Sequence, residues 1–241
     1  MKLSDFKVLT FDCYGTLIDW ETGMLEALAP LVGRVKPPPG GEAVLAAHAR
    51  HEHAQEGWTP TRRYGDLLAT VHKRLAEEWG AAATWDEAVA YGRSIGSWPA
   101  FPDTVEALAY LKRHFRLVIL SNVDNASFAA SHARLEVPFD AVYTAEDIGS
   151  YKPSPRNFEY MLEKLETLGL DRKDVLHTAQ SLFHDHGPAK QAGLASCWID
   201  RRHDRGGGFG ATVKPEATPG YDFRFVSLAE MASAHRKELQ G

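Results

Sequence analysis

The sequence predicts an α/β fold, a doubly wound parallel sheet that carries a helical insertion directly after its first strand. Short apolar runs alternate with helix-like segments at both ends of the chain, the pattern left by βαβ units. Between about Trp20 and Trp98 that alternation gives way to helical periodicity throughout. The 241 residues suit a core with a smaller insert, at roughly 150 residues per domain.

Taken in order, residues 7–11 (Lys-Val-Leu-Thr-Phe) form the first strand and end on Asp12. The insertion follows. Within it Tyr64, Leu67, Leu68, Val71, Leu75 and Trp79 recur at the spacing of one apolar helix face. Pro37-Pro38-Pro39-Gly40-Gly41 is a break, and Thr84 with Glu87 makes a capping box. Trp58, Tyr64, Trp79, Trp85 and Trp98 are expected in the core of the insert. His48, His51 and His53 read as a solvated or cap-lining helix face, because no carboxylate or cysteine partner stands out at metal-ligand spacing.

The core resumes near Pro102. Asp103 and Glu106 form a second capping box ahead of Val105, Leu108 and Leu111. Strands are expected at 116–120, 141–144, 175–178 and 196–199, with helices after Asn125, Pro155 and Asp185. The division is therefore a core of 1–19 and 99–241 with a cap of 20–98. The glycine-rich run from Gly206 to Gly210 reads as a mobile loop.

Charge narrows the function. Lys and Arg number 27 against 32 Asp and Glu, a net charge of −5, which argues against a nucleic-acid partner. Met1-Lys2-Leu3-Ser4-Asp5 lacks a signal sequence, and no apolar run approaches the roughly 20 residues of a membrane span. A cytoplasmic protein without a membrane partner is expected, with Cys13 and Cys197 as buried thiols. A homodimer is the default assembly.

The residues with chemistry stand at strand ends. Asp12 lies at the carboxyl edge of the sheet, where a carboxylate can act as nucleophile. Leu120-Ser121-Asn122 presents a hydroxyl and an amide, Ser150-Tyr151-Lys152-Pro153 a cation, and Gln180-Ser181-Leu182-Phe183-His184-Asp185 a second acid. His184, an imidazole expected to titrate near neutrality beside Asp185, is a candidate general base.

This order of Asp, Ser/Asn, Lys and Asp, with a helical insert behind the first, resembles the haloacid dehalogenase superfamily. The resemblance spans the chain and implies a Rossmann-like core beneath a cap. It also implies that Asp12 forms an aspartyl ester which Lys152 holds and charge-stabilises, the ammonium favouring an ionised Asp12. Phosphatases of the superfamily carry a second acid two residues after the first and an acidic cluster for Mg²⁺; here those positions hold Tyr14 and, four residues after Asp185, Ala189. No metal and no cofactor are therefore expected.

Phe11-Asp12-Cys13-Tyr14-Gly15-Thr16-Leu17, Ser121-Asn122, Tyr151-Lys152-Pro153 and Cys197-Trp198-Ile199-Asp200-Arg201 look like the metal-free L-2-haloacid dehalogenases. That likeness implies that Thr16 supports Asp12, Tyr14 lines the pocket, and Ser121 and Asn122 meet the substrate carboxylate or Asp12. Ser181 joins them, and Asp185 orients Lys152 or the hydrolytic water. The sequence departs from the group at Leu182 and His184, and at Ala47, where a cap arginine is expected. Arg50, one turn on, is the substitute candidate for the substrate carboxylate, with the Arg201-Arg202 loop as a further source of positive charge. Trp98-Pro99-Ala100-Phe101-Pro102 and Ser181-Leu182-Phe183-His184-Asp185-His186 look like the L-azetidine-2-carboxylate hydrolase branch of the same group. The expected function is a metal-independent hydrolase of a small 2-substituted carboxylic acid, of (S)-2-haloacid dehalogenase type. The alternatives are azetidine ring opening with the same nucleophile and a Mg²⁺-dependent small-molecule phosphatase.

Overall fold

The computed structural model describes residues 1–205 and 209–241; Gly206, Gly207 and Gly208 of the expected mobile loop lie outside the described residues. Strand β1 (Val8–Phe11) is followed by four helices, α1 (Trp20–Val32), α2 (Gly41–Trp58), α3 (Tyr64–Glu78) and α4 (Trp85–Arg93). The chain then runs through α5 (Thr104–Leu111), β2 (Arg116–Ser121), α6 (Asn125–Leu135), β3 (Ala141–Thr144), α7 (Ala145–Ile148) and α8 (Pro155–Thr167). It finishes with β4 (Val175–Ala179), α9 (Gly187–Gln191), β5 (Ala195–Ile199), β6 (Phe223–Phe225) and α10 (Leu228–Gln240). The six strands form one parallel sheet in the order β3-β2-β1-β4-β5-β6, the doubly wound arrangement with a switch point beside β1.

β1 is central, and all four of its residues are buried, as a parallel strand covered on both faces requires. The pleat divides them: Leu9 and Phe11 join the larger apolar cluster, while Val8 joins the one built with Phe158, Met161 and Leu165 of α8. Thr10 shares the Val8 face and lies opposite His177 of β4, where its Oγ1 hydrogen-bonds the His177 Nδ1 at 2.9 Å.

The sixth strand was not expected. Phe223-Arg224-Phe225 is a three-residue edge strand, too short for its alternation to stand out. Asp103 does not cap α5. Its carboxylate instead takes Arg201 Nη1 at 2.7 Å and the Ala229 N–H at 3.1 Å, tying the turn after β5 and the start of α10 to the start of α5. The segment expected to open a helix after Asp185 is a π-turn over Leu182–His186, and α9 begins only at Gly187.

The cap leaves and rejoins the core at adjacent points. Ile18 and Ala100 pair as an antiparallel bridge, and the Asp19 N–H donates to the Pro99 carbonyl at 2.8 Å. Inside the cap Leu67, Leu68, Val71 and Leu75 of α3 are fully buried, and the Thr84 capping box forms. Helices α3 and α4 touch backbone to backbone at Gly65 and Gly92, where a methyl on Gly92 would stand 2.1 Å from the Gly65 oxygen. Tyr64 and Trp98 are buried as expected, but Trp58 and Trp85 are 62% and 53% exposed. Both sit at helix ends, and Trp58 lies under the Arg74 guanidinium instead. Among the described residues no helix is long and apolar enough to cross a membrane.

Candidate active site

Asp12 follows β1 without a break, its N–H donating to the Thr178 carbonyl at 3.1 Å. The turn after it needs a glycine: Gly15 has φ of 91°, and a Cβ there would stand 2.9 Å from Trp20 Nε1. Turning so sharply brings Thr16 back over Asp12. The Thr16 hydroxyl donates to Asp12 Oδ2 at 2.8 Å and accepts the Gln180 N–H at 2.9 Å. Arg201 steadies the same turn through two bonds to the Thr16 carbonyl.

Lys152 is 1% exposed and spends all three ammonium protons. They go to Asp12 Oδ1 at 2.9 Å, Asp185 Oδ1 at 2.7 Å and the Leu120 carbonyl at 3.0 Å. Asn122 clamps the Lys152 backbone from both sides, accepting its N–H at 2.6 Å and donating to its carbonyl at 2.9 Å. Asp185 Oδ1 also takes His177 Nε2 at 2.9 Å, so a chain runs from Lys152 through Asp185 and His177 to Thr10.

Burial raises the Asp12 pKa above the ordinary carboxylate value despite the Lys152 charge beside it, and the neighbouring Asp185 pushes the same way. Lys152 does favour the ionised Asp12, as expected, but burial outweighs it. For Asp185, burial is outweighed by Lys152 and then by the His177 bond, and its pKa falls far below the usual range. Burial acts to lower Lys152, but the two carboxylates win and raise it. At neutral pH the cluster holds a firm ammonium, a firm Asp185 carboxylate and a desolvated Asp12.

These groups floor a cleft with about 40 Å³ of free space, room for only a few waters or a small molecule's reacting end. Tyr14, Ser121, Asn122, Ser181 and His184 also line it. The Tyr14 hydroxyl is turned to Ser131 at 2.8 Å. Ser121 Oγ, Asp185 Oδ2 and His184 Nε2 are buried without a hydrogen-bond partner among the described residues. Ser181 Oγ accepts the His184 N–H at 3.0 Å and meets His184 Nδ1 at 3.2 Å, so it positions that ring. His184 does not titrate near neutrality: burial pushes it down to about 4, leaving a neutral but weakly basic imidazole.

From the cap come Trp20, Glu52, Glu56 and Tyr64. Glu52 takes the Tyr64 hydroxyl. Its pKa is lowered because His48 at 3.5 Å and Tyr64 overcome burial. Glu56, buried beside Glu52, is pushed well above the ordinary carboxylate value by burial first and the Glu52 charge second. It accepts only a 3.3 Å bond from Asn122.

Arg50 is not in the cleft. It points to solvent and pairs with Glu78 at 2.8 Å, because its position on α2 is turned away from the buried Ala47 and His48. Arg201 is neutralised by Asp103, and Arg202 by Glu21 and Glu42. Among the residues lining the cleft Lys152 is thus the one cation, facing Asp12, Asp185, Glu52 and Glu56. The three cap histidines do not share a solvated face either: His48 is fully buried, His51 pairs with Glu78, and His53 is exposed at the cleft edge.

Mg²⁺ fits this floor poorly. An octahedral oxygen cage would need free carboxylate oxygens, yet both Asp12 oxygens and Asp185 Oδ1 are taken, position 14 is a tyrosine, and position 189 is a buried alanine. Asp185 Oδ2 alone is free among these.

A family model described as haloacid dehalogenase-like hydrolase matches residues 6–193. The chain belongs to that family. The (S)-2-haloacid dehalogenase of Pseudomonas sp. (strain YL) is 29% identical over 207 residues, covering 81% of this chain and 83% of that protein. The (S)-2-haloacid dehalogenase 4A of Burkholderia cepacia is 24% identical over 208 residues, covering 83% and 85%. An L-2-haloacid dehalogenase from Xanthobacter autotrophicus, solved with chloropropionic acid covalently bound, superposes with a TM-score of 0.75 at 19% identity, over 96% of this chain and 98% of that one. This haloacid dehalogenase-like hydrolase thus shares the fold of those enzymes over nearly its whole length.

Two groups escaped the sequence reading. Glu52 and Glu56 sit at i and i+4 on α2, one helix face, a signal masked by the histidines among them. His177 was legible as a polar residue inside the apolar run Val-Leu-His-Thr-Ala, but only pairing with Thr10 and Asp185 gives it a task.

Proposed function

We propose that this hydrolase displaces a substituent from C2 of a small carboxylic acid through an ester on Asp12, the reaction type of an (S)-2-haloacid dehalogenase, without a metal. The observation that carries the reading is the Asp12 carboxylate, desolvated at the floor of a small cleft and gripped by Lys152 and Thr16. An Asp12 oxygen attacks C2, and the leaving group departs with its bonding pair. Water then attacks the ester carbonyl, whose developing negative charge is met by the Lys152 ammonium and the Thr16 hydroxyl. Collapse returns the carboxylate and releases a 2-hydroxy acid. Asp185 Oδ2 and His184 Nε2 are the unpartnered acceptors available to orient that water. Ser121 Oγ is the free donor for the substrate carboxylate.

A second reading, an amine leaving group as in azetidine ring opening, is favoured by one observation: the cap wall offers Glu52 and Glu56 and no cation. Paired acids suit a protonated amine better than a second carboxylate.

A single turnover in ¹⁸O-water tests the chemistry: the label enters the Asp12 carboxylate and the product leaves unlabelled. Label in the product would mean direct water attack and end the ester reading. Turnover of both enantiomers of 2-chloropropionate, of L-azetidine-2-carboxylate and of a phosphate ester, each with and without chelator, then decides the leaving group. Phosphate hydrolysis lost on chelation would replace both readings with the phosphatase.

A further inference from the structure

We propose that His53, Glu56 and His184 form a binding site for a Zn²⁺-type divalent cation, built across the mouth of the cleft between α2 and the turn after β4. One donor atom from each side chain lies within 4.8 Å of the other two. His53 and Glu56 stand three residues apart on α2, a spacing that brings side chains to one helix face. His184 approaches from the core, on the Leu182–His186 turn. Two imidazole nitrogens and one carboxylate oxygen are the donor set of open four-coordinate zinc sites, whose last position is left to water or a ligand. Mg²⁺ and Ca²⁺, which seek oxygen cages, are disfavoured by the same set.

An independent observation points to a ligand at this place. His184 Nε2 is closed off from solvent and has no hydrogen-bond partner among the described residues. A buried polar atom left unpaired costs free energy, and a cation would take up that lone pair. The ring's other nitrogen is already held by Ser181 Oγ, the kind of support that fixes the orientation of a ligating imidazole. His53 packs edge-on against Phe183 at 5.3 Å between ring centres, which holds it at the cleft edge, and its exposure opens a way in from solvent. Asn122 meets Glu56 only through Oε1, leaving Oε2 for the ion.

Glu56 and His184 both line the cleft above Asp12. An ion held between them ties the cap to the core and stands in the substrate's path. The site is thus a stop on the reaction rather than a part of it, and it holds whichever leaving group the enzyme takes.

Titrating the metal-free protein with Zn²⁺ by calorimetry, and with Co²⁺ by its visible absorption, tests this. One ion per chain is expected, with the intense bands of four-coordinate Co²⁺. His53→Ala and His184→Ala should each weaken binding by at least about 100-fold. His51→Ala, on the same helix but paired with Glu78, should bind as the wild type does. Because His53 is exposed, its replacement reads binding without threatening the fold. No Zn²⁺ uptake at millimolar concentration, or equal affinity in His53→Ala and wild type, would overturn the site.

Discussion

The two faces of the cleft are built on opposite principles. On the core face the charged groups are tied to one another: Lys152 has three acceptors, Asp12 has two donors, and one Asp185 oxygen is tied through His177 to Thr10. On the cap face two acids sit side by side: Glu52 is held by Tyr64 and His48, whereas Glu56 has one long bond from Asn122 and is held above the ordinary carboxylate range by burial and by its neighbour. A closed network preorganises a reacting group. Glu56, thinly partnered beside a second acid, suits an arriving positive group, so the contrast sets a preorganised floor against a wall that favours a cation.

The largest test of that contrast is Asp12→Asn. It removes the proposed nucleophile but keeps the shape, so turnover should fall by about 10⁴-fold or more while the thermal unfolding midpoint changes little. A variant retaining a tenth of the activity would break the division. Next comes Lys152→Met, which leaves two buried carboxylates without their cation and should cost about 3–5 kcal/mol in urea unfolding. Stability within about 1 kcal/mol of wild type would mean the core network is not closed.

Acidification strikes the turn on which the two faces meet. His184 and His186 are both pushed from 6.5 down to about 4 by burial. Unfolded chains therefore bind more protons than folded ones between those values, and stability falls as pH drops from about 6.5 to about 4. The loss is on the order of 3 kcal/mol for each ring, measured by urea unfolding at stepped pH. An unchanged profile in a variant with both rings replaced would show that neither ring is desolvated. Within the cap, Gly92→Ala forces α3 and α4 apart and should cost about 1–3 kcal/mol, with Asp12 ester formation retained. The smallest effect is expected from Glu56→Gln. Since the folded state disfavours the Glu56 carboxylate, the amide should leave stability within about 1 kcal/mol of wild type at pH 7 or raise it slightly. A clear loss would show that Glu56 is as firmly partnered as Asp185.

The core face was largely legible. Asp12, Ser121 and Asn122 lie at strand ends, Thr16, Ser181 and Asp185 on the turns after β1 and β4, and Lys152 on the connection from α7 to α8, and a parallel sheet gathers its strand ends at one edge. The cap face was not. Arg50 looked suitable because helical spacing alone does not say which side of α2 meets the cleft, and packing turned Glu52 and Glu56 inward while Arg50 went to Glu78. His184 misled in another way, since its proton affinity is set by burial that a sequence does not display.

By itself, then, the sequence determined the parallel sheet, the helical insertion after β1 and the set of residues at the carboxyl edge, because periodicity and strand order are local properties of a chain. Tertiary structure alone decided the charge facing Asp12, the exposure of Trp58 and Trp85, and the meeting of His53, Glu56 and His184. Those depend on how a cap helix is rotated against a sheet, and that rotation comes from packing among residues far apart in the chain.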